Sequence, residues 1–97
     1  MFTGTAIFDL LLPGDSRSLK AKRSYVRPII AVLRKLEVAV AEVGEQDLHG
    51  RAAIGVAAVA DDPSHVSAVL DACERTVAGR PEIELLSVRR RLYGAED

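Results

Sequence analysis

Between Arg17 and Lys35 lie seven of the chain's thirteen basic side chains, with no acid among them. Cations crowded in this way hold an electropositive field, and the chemistry they serve is anion binding, above all to a phosphate backbone. Ten of the fourteen acids fall instead between Glu37 and Glu84, so the formal net charge of -1 reflects segregated charge rather than scarce charge. That total excludes a generally basic nucleic-acid binder but permits a basic patch. At about 100° per residue, Lys20, Arg23, Arg27 and Arg34 fall on one stripe of a helix, beside its apolar face. Together with Lys22 they are the candidate RNA- or phosphate-binding residues. The competing interpretation is a solvated helix face whose long side chains cover the edge of the core. Arg89, Arg90 and Arg91 form a second, shorter cluster.

A different chemistry is suggested by Glu42, Asp47, His49 and Arg51, because a histidine with two carboxylates can hold a metal or move a proton. The structural alternative makes Asp47 a turn cap and pairs Glu42 with Arg51 across two strands. No nucleophile or second metal ligand stands nearby in the sequence, which favours the structural alternative, and no catalytic, metal or cofactor residue is assigned. The segment Pro13-Gly14-Asp15-Ser16-Arg17-Ser18-Leu19-Lys20 leads into a helix N-terminus, a place suited to anions, yet it lacks the glycine spacing of a P-loop. A basic loop at this point resembles that of acylphosphatases, whose glycine-rich signature is absent.

Periodicity shows which strands and helices carry these residues. Phe2 to Leu12 alternates, with Phe2, Ala6, Phe8, Leu10 and Leu12 on one parity, as a half-buried strand requires. After Pro13 and Gly14, Ser18 is an N-cap candidate, and Leu19, Val26, Ile29, Ile30, Leu33 and Leu36 repeat with helical spacing. Pro28 interrupts this helix and is expected to kink or loosen it. Val38 to Val43 and Arg51 to Ala60 read as a hairpin. Asp62-Pro63 opens a second helix with Val66, Val69, Leu70, Cys73 and Val77 as its apolar stripe. Ile83 to Leu92 is the last strand.

A βαββαβ order predicts an α+β ferredoxin-like sandwich. Its four-stranded antiparallel sheet has order 4-1-3-2, and both helices pack on one face as a single domain spanning 1–97. In that topology Arg34, Lys35 and Arg89 to Arg91 share one end. The 48% hydrophobic content suffices for a core without disulfides or metal. A lone Cys73 fits a reducing compartment, and the absence of a leader or long apolar run points to the cytoplasm and away from membranes. RNA-recognition motifs use the same architecture but stack bases on strand aromatics, and Arg51 to Ala60 has none, so any RNA contact is expected to be electrostatic.

Ser18-Leu19-Lys20-Ala21-Lys22-Arg23, Val40-Ala41-Glu42-Val43 and Asp47-Leu48-His49-Gly50-Arg51-Ala52 together resemble the YlxP-like proteins, a bacterial family of unknown function. His49 and Gly50 depart from the aromatic and glutamine of that family's pattern. The resemblance implies a ferredoxin-like fold. It also implies a link to translation, since the family's genes often lie between those for translation initiation factor two and ribosome-binding factor A. The expected function is a non-enzymatic accessory protein of the ribosome or structured RNA. The alternative is a homodimerising interaction or small-ligand-binding regulatory module, with the open sheet face around Ile7 and Leu11 as its contact surface. A small hydrolase ranks last, because its nucleophile and base have no candidates.

Overall fold

The computed structural model describes residues 1–15, 17–45 and 48–94. The elements are β1 (Phe2–Leu11), α1 (Leu19–Arg34), β2 (Ala39–Gly44), β3 (Arg51–Ala60), α2 (Pro63–Ala78) and β4 (Glu84–Tyr93). The sheet order is β2-β3-β1-β4, which is 4-1-3-2 counted from the other edge, and every neighbouring pair is antiparallel. This is the ferredoxin-like sandwich.

Alternation along β1 buries Ala6, Phe8 and Leu10 against the helices, and Leu12 just beyond the strand is also buried. β3 contributes Ala52, Ile54, Val56 and Ala58 to the same layer. Ser18 caps α1 by accepting a hydrogen bond from the Ala21 amide at 3.1 Å, and Asp62 caps α2 through the Ser64 amide at 2.7 Å. Pro63 takes the first turn of α2, where its missing N–H is not needed. Pro28 lies within α1, which runs as one helix from Leu19 to Arg34. The proline is exposed, so the carbonyl it deprives of a donor faces water rather than the core.

The buried faces are spaced identically: positions 22, 26, 29 and 33 in α1, and 66, 70, 73 and 77 in α2. The α1 stripe therefore differs from the expected one. Leu19 is 46% exposed, and Lys22 takes the buried position one turn before Val26.

Two irregularities shape the open side of the sheet. Pairing shifts between Glu42 and Gly44, a bulge at Val43, and between Asp9 and Leu10, which leaves Leu86 as the extra residue of β4. Val43 then lies over Gly55, where a Cβ would meet its Cγ1 at 2.9 Å. No helix among the described residues is long and apolar enough to cross a membrane.

Candidate functional site

Along the outer face of α1, Lys20, Arg23, Ser24, Arg27 and Pro28 line a groove of about 410 Å³. All five are exposed. Lys20 and Arg27 stand seven residues apart, about 10 Å along the axis, with Arg23 between them. Arg34 continues the row by another 10 Å or so and sits in the last turn, where the helix dipole favours a cation. The first turn of α1 holds no acid, so the partial positive charge of its N-terminus adds to Lys20.

The ion pairs among the described residues join Lys22, Arg80, Arg89 and Arg90 to carboxylates, and none engages Lys20, Arg23, Arg27 or Arg34. Pro28 supplies no N–H, so the Ser24 carbonyl loses the donor it would otherwise have four residues on. The Ser24 hydroxyl donates to the Ala21 carbonyl at 2.5 Å, which leaves its lone pairs as acceptors. The groove thus combines three cationic donors with hydrogen-bond acceptors on its floor.

Lys22 is elsewhere. Its ammonium is buried between α1 and the β2–β3 hairpin, 2.9 Å from Glu42 Oε2 and 2.7 Å from the Glu45 carbonyl oxygen, to which it donates. At 3% exposure this side chain presents no charge to a ligand on the helix surface, which separates it from the other four predicted residues.

The family model described as a protein of unknown function, DUF503, matches residues 3–90. The chain belongs to that family. No curated protein matches the sequence.

In this member of DUF503 the hairpin cluster is divided by the strands. Glu42 lies opposite Ile54 and faces the helices, whereas Arg51 lies opposite Leu11 on the other face of the sheet. Alternation thus forbids the expected Glu42–Arg51 pair, and Lys22 takes that place. His49 is exposed, and Asp47 lies outside the described residues. Among the described residues no three His, Cys, Asp or Glu side chains form a group suited to a metal ion.

Arg89 to Arg91 are divided in the same way. Arg90 turns to the helix side and binds Asp71 at 2.8 Å and Glu74 at 3.0 Å on α2. Arg89 pairs with Asp9 at 3.2 Å, and Arg91 lies 5.2 Å from the centre of the Tyr93 ring, both on the open side. The three do not form one patch. The Tyr25 hydroxyl donates to both oxygens of Asp15, at 2.8 and 3.0 Å, and ties the loop after β1 to α1. That hydrogen bond raises the pKa of the phenol, assisted by burial and by the Asp15 charge.

The anchoring role of Lys22 has a sequence signal: its i, i+4, i+7, i+11 relation to Val26, Ile29 and Leu33 places it in the apolar stripe. Its partner Glu42 has none, because the two are brought together only by packing α1 on β2.

Proposed function

We propose that the protein is a non-enzymatic, RNA-associating accessory factor that holds a phosphate backbone in the α1 groove through Lys20, Arg23 and Arg27, with Arg34 extending the track. The observation that carries this reading is a groove lined by three cations and no acid on a chain whose net charge is -1. Such a surface attracts a polyanion without base reading, because long side chains on successive helical turns meet phosphates spaced along a strand. The Ser24 hydroxyl and carbonyl suit the ribose 2′-hydroxyl, which can donate a hydrogen bond and distinguishes RNA from DNA. Arg91 and Tyr93 are too few for a stacking platform on the sheet. The resemblance to YlxP-like proteins and their gene neighbourhood supports a ribosomal or translational setting by association. A reducing cytoplasm, where the lone Cys73 stays a thiol, is the matching compartment.

The test is ribosome co-sedimentation, together with titration of a structured RNA hairpin, for wild type and a Lys20→Glu, Arg23→Glu, Arg27→Glu variant. Three phosphate contacts give a slope of log affinity against log salt of about -2 to -3, on a scale of roughly -0.7 to -0.9 per contact taken from DNA. The variant is expected to lose association with an unchanged circular dichroism spectrum. Association that ignores salt, or that survives the triple reversal, refutes the proposal.

A further inference from the structure

Among the described residues, no element covers the sheet face opposite the helices. Its centre is a broad apolar trough of about 420 Å³, floored by Ala39, Ala41, Gly55 and Ala57 and walled by Ile7 and Val43. Val43 is 52% exposed, and Val59, outside the trough, is 62% exposed, so the apolar surface extends beyond it. A ligand pocket encloses most of its occupant, and this trough lies open along one side, which suits a second flat surface better than a small molecule. Small side chains on the floor allow another sheet to approach to the usual separation of about 10 Å.

Three of the charges on this face, Asp9 on β1 and Arg89 and Arg91 on β4, already have partners, while Glu84 on β4 and Arg51 on β3 stand on either side of Leu11 at one end. Arg89 pairs with Asp9 at 3.2 Å, the Ser87 hydroxyl donates to Asp9 at 2.6 Å, and Arg91 rests near the Tyr93 ring at 5.2 Å. Covering the face therefore strands none of these three side chains. The charges of β4 are also polarised along the strand: Glu84 stands opposite Leu11 toward one end, and Arg91 opposite Thr5 toward the other. A twofold axis lying in the face and across the strands lays β4 on β4 of the second copy and sets Arg91 of each against Glu84 of the other. The pattern is self-complementary, as an isologous contact requires.

The area is adequate. Strands of 10, 6, 10 and 10 residues cover about 570 Å² at roughly 3.3 Å per residue and 4.8 Å between strands. Two copies hide about 1,100 Å² before side-chain relief is added, above the floor of roughly 1,000 Å² for a biological interface and near the lower end of specific ones.

We propose that the chain forms a symmetric homodimer by packing this sheet face on the same face of a second copy, with Arg91 of one beside Glu84 of the other. The α1 grooves lie on the opposite, helical side of each sheet and stay accessible, so this proposal and RNA association stand or fall separately.

Sedimentation velocity across the micromolar range is expected to give a species of twice the 10.4 kDa chain mass. An Ala41→Glu, Ala57→Glu variant is expected to sediment as a monomer with its circular dichroism spectrum intact. Arg91→Glu should weaken association at least tenfold, and adding Glu84→Arg should restore it. The charge exchange decides the matter if the Ala41→Glu, Ala57→Glu variant fails to fold. A wild type that stays monomeric, a dimer indifferent to charge at positions 41 and 57, or an Arg91→Glu defect that Glu84→Arg leaves unrepaired overturns the proposal.

Discussion

Replacing Lys22 with methionine keeps most of the aliphatic volume and removes the ammonium that joins α1 to the hairpin. The direct attraction to Glu42 at 2.9 Å is about 6 kcal/mol at an effective dielectric of 20, and desolvation of the lysine offsets most of it. What the variant loses is set by the groups left behind. The Glu45 carbonyl forfeits a charge-assisted hydrogen bond, a loss of about 1.5 to 3 kcal/mol. Glu42 is 25% exposed and recovers part of its hydration, so its share falls below the 3 to 5 kcal/mol typical of a fully buried orphan. The expected destabilisation is about 2 to 4 kcal/mol, against about zero to 0.5 for an exposed lysine. Urea unfolding followed by circular dichroism reads the difference as a lower midpoint at constant slope. Adding Glu42→Leu should return part of the loss, since the part-buried carboxylate that faced the ammonium is then removed with it. A Lys22→Met variant within 0.5 kcal/mol of wild type, on the scale of surface substitutions, would show that the ammonium is not buried in this pair and would return Lys22 to the phosphate-binding set.

Leu33→Ala, which empties a fully buried site on α1, is expected to cost about 2 to 5 kcal/mol in the same assay, and the exposed Arg27→Ala is expected to be neutral within about 0.5. Gly4→Ala should destabilise by about 1 to 3 kcal/mol in thermal or urea unfolding, because the added Cβ falls 2.3 Å from Val66 Cγ1, on a stiff β-branched side chain of α2. Burial holds the Cys73 thiol above its ordinary pKa, against the lowering effect of the Arg90 charge. The unfolded thiol therefore ionises first, and the contribution of Cys73 to stability is complete below the ordinary thiol pKa and is lost as pH rises through the higher folded value. Thiol labelling of native protein should accordingly be slow and should accelerate with urea in step with unfolding.

Periodicity determined the element order and nearly all of the core, because each strand and helix must bury one face and only one phase of each does so; the side-chain types of Ser18 and Asp62 marked both helix caps, and the βαββαβ order implied the sheet topology. The groove was legible for the same reason: Lys20, Arg23, Arg27 and Arg34 share a helical face whatever lies beneath the helix, since the 3.6-residue repeat is local. The fate of the remaining cations depended on tertiary structure. Lys22 differs from Lys20 by two residues, yet packing α1 on β2 brings Glu42 and the Glu45 carbonyl to its ammonium and turns a candidate ligand contact into an internal anchor. Arg89, Arg90 and Arg91 read as one patch in the chain. Pleating sends Arg90 toward Asp71 and Glu74 and its neighbours toward the open face, so three adjacent charges serve two sides of the sheet. Side-chain type and local period set which face a residue takes. Which charges meet across that face depends on groups distant in sequence, and these come together only when the layers pack.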